Sequence, residues 1–399
     1  MSTVIDILQK YDQTHILELL FGGNLGAFED INLEGLLKGF NQAAFSSADS
    51  NQITYETTEV LPIENIQEIE NSKDTLYKLG VSQLKEQKLA VIILSGGQGS
   101  RLGYRHAKGM YNIGITRNIS IFELLMNSLT RLAKNIDIPV PLFIMTSSDN
   151  HEEIQIFFEQ HNFFGYSEEY VEFFLQNESP ALDSEGDIYL TQDKELLMLP
   201  GGNGDWYKML MKSRILDKPQ YSHVEWFNVV SVDNPLQNMA DPIFLGATLS
   251  KGCDFGAKVI RKITPEEKIG VICKVDGKPR IIEYYELPDA LKYEKTELGE
   301  YKYQYGVTLN YLFKKATLDA KRSLELPFHY VNKSVYINSD TCVVLKKAET
   351  LILDMISYFN NACLFEIIRE KEFAPIKNRS GVDSVDTARS LLAMNGIIL

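Results

Sequence analysis

The chain has 399 residues, of which 44% are apolar, and a net charge of -14 from 54 acidic and 40 basic side chains. Its length suits one large domain with additions or two to three modules, and its composition indicates a globular protein without low-complexity segments. The negative charge excludes general affinity for nucleic acid or anionic membranes, because both require a cationic surface. Any phosphate-binding site must therefore be formed by a local group of positively charged side chains.

The cysteines and the N-terminal residues bear on the cellular compartment. Cys253, Cys273, Cys342 and Cys363 are far apart and have no metal-type spacing, so they are expected to be reduced and mostly buried. Residues 1–30 lack the basic and apolar regions of a secretory signal. No apolar run approaches the roughly 20 residues of a membrane span. The expectation is a soluble cytoplasmic protein.

Residues 1–85 are expected to form a helical N-terminal segment. They are rich in helix formers, and apolar side chains such as Ile5, Leu8 and Ile16 recur at helical spacing. A polar stretch at residues 45–57 is expected to interrupt these helices.

Short apolar runs alternate with helical patterns beyond this segment. Leu89–Leu94 is wholly apolar, as in strands buried on both faces, and it ends abruptly in glycines. Ile121–Ile136 has helical periodicity. Further strands are expected at 140–146, 171–175 and 226–232, and further helical segments at 151–158 and 206–216. This alternation predicts an α/β fold with a mostly parallel sheet covered by helices.

The pattern changes later in the chain. Between residues 257 and 285, short β-rich runs flank an Asp276-Gly277 turn, which predicts an antiparallel insertion. Helical character is expected again from about Leu345, through residues 351–369. The chain is thus predicted to have three consecutive parts, namely a helical segment at 1–85, a central domain at 86–340 and a small C-terminal segment at 341–399.

The strongest functional signal is the segment Leu94-Ser95-Gly96-Gly97-Gln98-Gly99-Ser100-Arg101-Leu102-Gly103, which Lys108 follows closely. It begins where a buried strand ends, and open α/β sheets bind their ligands at that edge. Glycines let backbone amides approach a polyphosphate, while Arg101 and Lys108 supply charge where it accumulates during phosphoryl or nucleotidyl transfer. The alternative is a tight turn with solvent-facing basic side chains.

Two better-known phosphate loops do not fit this segment. The spacing from Gly97 through Gly99 to Gly103 is one residue too long for G-x-G-x-x-G, and no G-K-[ST] ending of a P-loop follows. His106 lies within the loop, but no general base is needed, because phosphate oxygens are already ionised nucleophiles.

Two other segments are candidate binding elements. Asp233 ends an apolar strand pattern, so its carboxylate should project from the carboxyl edge of the sheet, where a hard oxygen ligand suits Mg²⁺. A strand-end aspartate that caps a turn is an equal alternative. Gly201-Gly202-Asn203-Gly204 permits close backbone approach to a base or sugar, although a plain hairpin turn has the same pattern.

The glycine-rich loop resembles that of the eukaryotic UDP-N-acetylhexosamine pyrophosphorylases. Their hallmark is Leu-(Ala/Ser)-Gly-Gly-Gln-Gly-(Thr/Ser)-Arg-Leu-Gly followed by Pro-Lys-Gly-Met-Tyr, and here Ala107 replaces the proline. The resemblance continues in order at residues 173–176, 200–204, 232–234, 256–259, 275–277, 282–284 and 373–378. It implies a Rossmann-like nucleotidyltransferase domain, flanked by a helical N-terminal segment and a small C-terminal one.

The resemblance also implies roles for the nucleotide-binding residues. The loop residues Leu94, Ser95, Gly96 and Gly97 would hold the nucleotide, and the Gln176 side chain and Gly202 backbone would contact uracil. It shifts the interpretation of Asp233 towards a metal ligand, since family members hold their divalent ion there.

Other residues correspond to family positions near the sugar and the phosphates. Asn203 and Glu283 would bind the sugar, the latter by accepting hydrogen bonds from hydroxyl groups. Lys347 aligns with a catalytic lysine that reaches the triphosphate, although the adjacent Lys346 leaves the register open. Lys377 would close over the site, with a solvated surface lysine as the alternative.

The implied function is uridylyl transfer, in which UTP and N-acetylglucosamine 1-phosphate give UDP-N-acetylglucosamine and pyrophosphate with Mg²⁺ as cofactor. Where many members have Asn-Ala-Gly-Asn-Ile, this chain has Gln304-Tyr305-Gly306-Val307-Thr308, which leaves the sugar preference open. The alternatives are a UDP-glucose or UDP-galactose type pyrophosphorylase and a catalytically silent nucleotide-sugar sensor. The chain stops at Leu399 without much of the extension of larger relatives, and a monomer is the working expectation.

Overall fold

The computed structural model describes residues 2–21, 28, 31–45, 58–337 and 341–399. Its helices are α1 (Ser2–Lys10), α2 (Thr14–Phe21), α3 (Leu33–Phe45), α4 (Ile66–Lys85), α5 (Ile121–Ile136), α6 (His151–Gln160), α7 (Trp206–Lys212), α8 (Pro242–Ser250), α9 (Asp289–Lys292), α10 (Lys315–Lys321), α11 (Ile352–Met355), α12 (Arg369–Glu372) and α13 (Val385–Met394). Its strands are β1 (Thr58–Glu59), β2 (Ile63–Glu64), β3 (Leu89–Leu94), β4 (Leu142–Thr146), β5 (Val171–Leu175), β6 (Glu178–Pro180), β7 (Met198–Pro200), β8 (Trp226–Ser231), β9 (Phe255–Arg261), β10 (Val271–Val275), β11 (Lys278–Ile282), β12 (Tyr305–Lys314), β13 (His329–Tyr336), β14 (Cys342–Glu349) and β15 (Cys363–Glu366).

The chain divides into two compact units, each assembled from separated stretches. The sheet unit contains Ile53–Leu175, Leu210–Lys321 and Ile356–Leu399, and the hairpin unit contains Met1–Gln52, Gln176–Met209 and Arg322–Met355. These units cut across the three consecutive parts expected from the sequence, 1–85, 86–340 and 341–399. The division into three consecutive parts describes the order of segments along the chain, and it stays a prediction.

The sheet unit is built on one mixed sheet with a parallel centre. Its main strand order is β2-β15-β9-β12-β8-β3-β4-β5, and β10, β11 and β1 extend it from β12. Strands β8, β3, β4 and β5 are mutually parallel, as are β2, β15 and β9, while β12 runs antiparallel to both of its neighbours β8 and β9. Every residue of β3 is buried, since helices cover both faces of the parallel part of such sheets. The expected α/β fold with a mostly parallel sheet is confirmed.

The hairpin unit has a different architecture. Strands β13 and β14 pair antiparallel from His329 opposite Glu349, and β6 and β7 form a second antiparallel pair. Leu8, Ile16 and Leu36 of its helices share a buried apolar cluster with Leu182. The expected interruption at residues 45–57 lies, except for Phe45 at the end of α3, outside the described residues.

Several elements expected from the sequence are confirmed. The structure has strands at Leu89–Leu94 and Val171–Leu175 and a helix at Ile121–Ile136 with the expected bounds. Helix α5 begins at Ile121 because the Ser120 side chain accepts a hydrogen bond from the Glu123 N–H. The helical segments expected at 151–158 and 206–216 are also present, as α6, which extends to Gln160, and α7, which ends at Lys212.

Two expectations in the C-terminal half were correct only in part. Helical character from Leu345 through 351–369 is found only in part: α11, a 3-10 helix at Ile356–Tyr358 and the first residue of α12 are helical, whereas β14 ends at Glu349 and β15 occupies Cys363–Glu366. Strand β15 is four residues long and completely buried between β2 and β9, a context that the local sequence does not reveal. The insertion at 257–285 is smaller than expected, because β9 belongs to the central part of the sheet. Only β10 and β11 form the hairpin, joined by Asp276 and Gly277 with φ values of 50° and 79°.

The state of the cysteines agrees largely with the expectation from their spacing. The cysteines are free, and three of the four are buried while Cys342 is exposed. Burial raises the pKa of the Cys273 and Cys363 thiols to about 12. Among the described residues, no helix is long and apolar enough to cross a membrane.

Helices α4 and α8 of the sheet unit contact each other through glycine. A Cβ atom on Gly246 would lie 2.0 Å from the Leu76 carbonyl oxygen, and one on Gly80 would lie 1.9 Å from that of Pro242. We expect Gly246→Ala to lower the free energy of unfolding by about 3 kcal/mol, because the two backbones must separate. Urea denaturation measures this change, with Ser250→Ala at the end of α8 as a control. An unchanged midpoint for Gly246→Ala would contradict the close approach.

Candidate active site

The glycine-rich loop leaves β3 at the carboxyl edge of the sheet. Leu94 and Ser95 are buried, with 7% and 0% of their surface exposed, and the loop becomes exposed at Gly97. It then folds back on itself, since the Gly99 N–H donates to the His106 carbonyl at 3.0 Å and the Lys108 N–H donates to the Gly97 carbonyl at 3.2 Å. This return places the Lys108 backbone beside the glycines, as a loop that surrounds a phosphate requires.

The backbone conformation at residue 97 does not itself explain why glycine occupies this position. Its φ is not in the left-handed region, and a Cβ atom built there would have no neighbour within 4 Å. Many residue types would therefore fit at this exposed position in the free protein. A ligand lying against the backbone gives a reason for glycine here, because a side chain would occupy its place.

A contact between Lys108 and Asp233 joins the loop to the next strand of the sheet. Strand β8 runs parallel to β3 with Ser231 opposite Leu94, and the Val232 N–H donates to the Leu94 carbonyl at 3.2 Å. The Asp233 carboxylate follows at this edge, and its Oδ2 atom is 3.8 Å from the Lys108 Nζ atom. The two side chains are 15% and 20% exposed. The expected projection of Asp233 from the carboxyl edge is confirmed.

Two further cations lie near Lys108. Burial is the largest cause that lowers the pKa of Lys108, the Asp233 carboxylate raises it, and the positive charges of Arg101 and Lys377 lower it further. The structure thus brings together four of the residues singled out in the sequence, Arg101, Lys108, Asp233 and Lys377. We call these four residues the anion site, because a local group of positive charges is what phosphate binding requires in an otherwise acidic protein.

The chain after α12 places Lys377 at this edge. The Ala374 N–H donates to Asn234 Oδ1 at 2.9 Å, and the Ile376 N–H donates to the Asp233 carbonyl at 2.9 Å. Lys377 follows directly, and its Nζ atom is 3.1 Å from Asp383 Oδ2. This ion pair was not expected from the sequence, although Asp383 is only six residues away.

The loop is also anchored to helix α6. The His106 Nδ1 atom contacts the Glu153 carboxylate, and the Ala107 N–H donates to Glu153 Oε2 at 3.3 Å. His106 therefore links the loop to α6, and the expectation that the reaction needs no general base stays a prediction. No sequence pattern indicated Glu153, which is 47 residues from His106.

Glu283 follows strand β11 in the sheet unit, close to Gly270. A Cβ atom on Gly270 would lie 3.6 Å from Glu283 Oε1, and the Val307 N–H donates to the Gly270 carbonyl at 3.0 Å. Glu283 and Val307, both linked to the sugar by the resemblance, thus lie near the same glycine. Their contact with a sugar stays a prediction.

The segment Gly201-Gly202-Asn203-Gly204 belongs to the hairpin unit, where it pairs with Thr350. The Thr350 N–H donates to the Gly201 carbonyl at 2.8 Å, and the Gly204 N–H donates to the Thr350 carbonyl at 2.9 Å. Gly202 has a φ of 89°, and a Cβ atom there would lie 2.3 Å from the Thr350 oxygen. A structural need therefore accounts for Gly202, which supports the turn interpretation without excluding base contact.

The remaining expected residues also lie in the hairpin unit. Asn203 Oδ1 accepts a hydrogen bond from the Ile352 N–H at 3.0 Å, so a sugar would meet the Nδ2 side of this amide. Gln176 is 8% exposed. Lys347 on β14 forms an ion pair with Glu349, and Lys346 pairs through its backbone with Leu182. The roles of these residues stay predictions.

A divalent ion would have one carboxylate ligand at the anion site. No group of three or more His, Cys, Asp or Glu side chains suited to a metal ion occurs in the part of the chain that the structure describes. Asp233 supplies oxygen donors beside cations that attract phosphate, and Mg²⁺ commonly binds through one or two carboxylates together with phosphate oxygens. The donor set therefore fits Mg²⁺ that arrives with a polyphosphate.

Comparison with known proteins identifies the relatives of this chain. A protein of Xenopus tropicalis described as UDP-N-acetylhexosamine pyrophosphorylase-like protein 1 is 34% identical over 331 residues, which cover 78% of this chain and 65% of the relative. The UDP-N-acetylglucosamine pyrophosphorylase of Saccharomyces cerevisiae is 31% identical over 373 residues, which cover 88% of this chain and 78% of the relative. This chain thus spans less than two thirds of the Xenopus relative and a larger share of the yeast one.

A solved structure supports the fold. The crystal structure of the uridine diphosphate N-acetylglucosamine pyrophosphorylase from Trypanosoma brucei in complex with inhibitor superposes with a TM-score of 0.80 at 22% identity, covering 98% of this chain and 84% of that one. Residues 33–395 match the family described as UTP--glucose-1-phosphate uridylyltransferase. The resemblance stated from the loop motifs is thereby confirmed, and the chain belongs to the UTP--glucose-1-phosphate uridylyltransferase family.

Proposed function

We propose that this protein transfers the uridylyl group of UTP to N-acetylglucosamine 1-phosphate, giving UDP-N-acetylglucosamine and pyrophosphate. The observation that carries this proposal is the anion site, in which Lys108 lies 3.8 Å from Asp233 at the carboxyl edge of the sheet. Ligands of open α/β sheets bind at this edge. The relatives named as UDP-N-acetylglucosamine pyrophosphorylases support the choice of nucleotide and sugar.

The mechanism follows from how charge moves in the reaction. An oxygen of the sugar 1-phosphate attacks the α-phosphorus of UTP in line with the leaving pyrophosphate, and no covalent intermediate with the protein is required. Lys108 and Arg101 would stabilise the negative charge that shifts towards the leaving phosphates. The loop backbone from Ser95 to Gly97 would hold the triphosphate, so that binding supplies the alignment.

Mg²⁺ fits this scheme as a cofactor held by Asp233 and phosphate oxygens. When bound, it would neutralise charge on the reacting phosphates. Lys108 keeps Asp233 close to the loop, and Lys377 would close over the phosphates from the segment after α12. A cytoplasmic location and a monomeric state stay predictions.

The identity of the sugar substrate is the part of the proposal that has a specific alternative. Val307 stands where many pyrophosphorylases for N-acetylhexosamines have asparagine, and its backbone pairs with Gly270 beside Glu283. Glucose 1-phosphate or galactose 1-phosphate is therefore the alternative substrate. A nucleotide-sugar sensor would have less reason to keep Lys108, Arg101 and Asp233 together, because their charges matter most in a transition state.

A pyrophosphate-release assay with UTP, Mg²⁺ and purified sugar 1-phosphates tests the proposal. We expect N-acetylglucosamine 1-phosphate to give the highest kcat/KM, with glucose and galactose 1-phosphates as comparisons. A higher kcat/KM for glucose 1-phosphate would replace the sugar assignment. No release with any sugar phosphate, while UTP still binds, would favour the sensor.

Removal of the metal should abolish turnover. We expect a chelator to reduce uridylyl transfer by at least about 10²-fold and added Mg²⁺ to restore it. Asp233→Asn should require more Mg²⁺ for half-maximal activity, because the amide is a weaker ligand than the carboxylate. The Mg²⁺ titration measures this shift, with Asp254→Asn as a control, because Asp254 pairs with Lys314 at 2.9 Å outside the anion site. Turnover that resists the chelator would contradict the metal role.

A further inference from the structure

Lys258 is a completely buried lysine in the middle of β9. Its Nζ atom is 2.7 Å from Asp241 Oδ2, 2.5 Å from Glu372 Oε2 and 3.4 Å from the Asn238 carbonyl oxygen, and 0% of its side chain is exposed. The lysine packs beside Phe244, whose ring centre is 5.7 Å from Nζ. We call Lys258, Asp241 and Glu372 the buried ion cluster.

Stability alone does not explain this cluster. Removing three ionised groups from water is costly, and well-packed apolar side chains of similar volume are often equally or more stabilising. Burial raises the pKa of the Glu372 carboxyl, while the Lys258 charge opposes that rise. A role in fixing the geometry of the segments that the cluster joins would explain why ionised groups are kept here.

One of these segments is the loop that follows Asp233. Lys258 Nζ donates to the Asn238 carbonyl at 3.4 Å, and Asn310 Nδ2 donates to the same carbonyl at 3.1 Å. Asp241 is the N-cap of α8 and accepts from the Ile243 N–H at 2.9 Å. The cluster thus contacts the Asn238 carbonyl and caps the start of the next helix.

The second segment leads to Lys377. The Glu372 side chain is held by Lys258, and the Glu372 carbonyl accepts a hydrogen bond from Asn234 Nδ2 at 2.8 Å. The chain then runs through Ala374 and Ile376, which hydrogen-bond to Asn234 and Asp233, to Lys377. Both segments that meet the cluster therefore carry one member of the anion site.

We propose that Lys258, through Asp241 and Glu372, is a positioning residue that sets Asp233 and Lys377 in place beside Lys108. This proposal rests on the proposed function for its kinetic consequences, whereas its structural consequence can be measured in the free protein. Lys258 itself contacts neither substrate nor the reacting atoms.

The test compares Glu372→Gln, Lys258→Met and the double variant with wild type. Glu372→Gln keeps the shape of the side chain but removes its charge, and Lys258→Met keeps a long apolar stem. Glu366→Gln is the matched control, because Glu366 is buried on the adjacent strand β15 and pairs with Arg261 at 2.8 Å, away from residues 372–377.

Hydrogen exchange of the peptide covering residues 373–378 gives the structural readout. We expect this peptide to exchange about tenfold faster in Glu372→Gln than in wild type and to be unchanged in Glu366→Gln. Unchanged exchange in Glu372→Gln would overturn the proposal, whatever the enzyme activity. Because no substrate is present, this result is separate from success or failure of the proposed function.

Kinetics separate positioning from a purely structural role. In folded Glu372→Gln we expect kcat to fall by about ten- to a hundredfold, with KM for UTP changing less than about threefold. The double variant should regain melting temperature relative to Lys258→Met, because an unpaired buried carboxylate is removed. It should not regain kcat. Recovery of kcat together with the melting temperature would show that the cluster serves stability only and would overturn the proposal.

Discussion

Replacing Lys108 by methionine should reduce kcat for uridylyl transfer by about 10³-fold, with a much smaller change in KM for UTP. The Lys108 ammonium is only 15% exposed and lies among Arg101, Lys377 and Asp233. In such a desolvated place, a positive charge stabilises moving phosphate charge far more strongly than it would in water. An interaction that strengthens in the transition state lowers kcat when it is removed, whereas uniform binding would raise KM.

Steady-state kinetics with UTP and N-acetylglucosamine 1-phosphate measures this effect. Lys302→Met is a suitable control, because Lys302 is 33% exposed and pairs with Glu294 at 2.7 Å, outside the anion site. A folded Lys108→Met protein with kcat within about threefold of wild type would remove Lys108 from the mechanism. A rise in KM with unchanged kcat would assign it to ground-state binding instead.

The sheet could be predicted from sequence where burial and periodicity act locally. Leu89–Leu94 is apolar throughout because both faces of β3 are buried, and the helical period of Ile121–Ile136 gave α5 its bounds. Strand β15 could not be recognised, because its four residues become a strand only between β2 and β9. The sequence also did not reveal which stretches of chain belong to each unit, since each unit is assembled from stretches that are far apart in the chain.

The same distinction holds for the site. Asp233 could be placed at the loop because parallel strands end at one edge of a sheet. The contact between Lys258 and Glu372 joins residues 114 positions apart, and no spacing rule connects them. A lysine inside the apolar run of β9 was the available signal, since lysine is almost never fully buried unless it is paired. Its partners required the structure.

Nucleotide choice provides the second large expected effect: UTP should exceed CTP in kcat/KM by roughly 10² or more, and ATP and GTP should be poor substrates. Uracil offers a carbonyl, an N–H and a second carbonyl, whereas the cytosine of CTP has an acceptor in place of that N–H and an amino donor in place of the second carbonyl, so two of the three positions are reversed. A site that hydrogen-bonds the substrate rejects such an analogue, because a buried partner is left unpaired. Gln176, which is 8% exposed, and the Gly202 backbone are the proposed partners.

Two backbone groups of the proposed base-reading segment are already hydrogen-bonded within the hairpin unit. The Gly201 N–H already donates to the Asn177 carbonyl at 2.7 Å, and the Gly201 carbonyl already accepts from Thr350 at 2.8 Å, so Gly202 offers the more available backbone. We therefore expect Gln176→Ala to reduce the preference for UTP over CTP by about tenfold, since an amide partner is lost. Gln220→Ala, an exposed change, should leave the ratio unaltered. Equal turnover of all four nucleoside triphosphates by wild type would contradict the base-reading role of Gln176. The chemistry assigned to Lys108 and Asp233 would still stand, because it acts on the phosphates that the four nucleotides share.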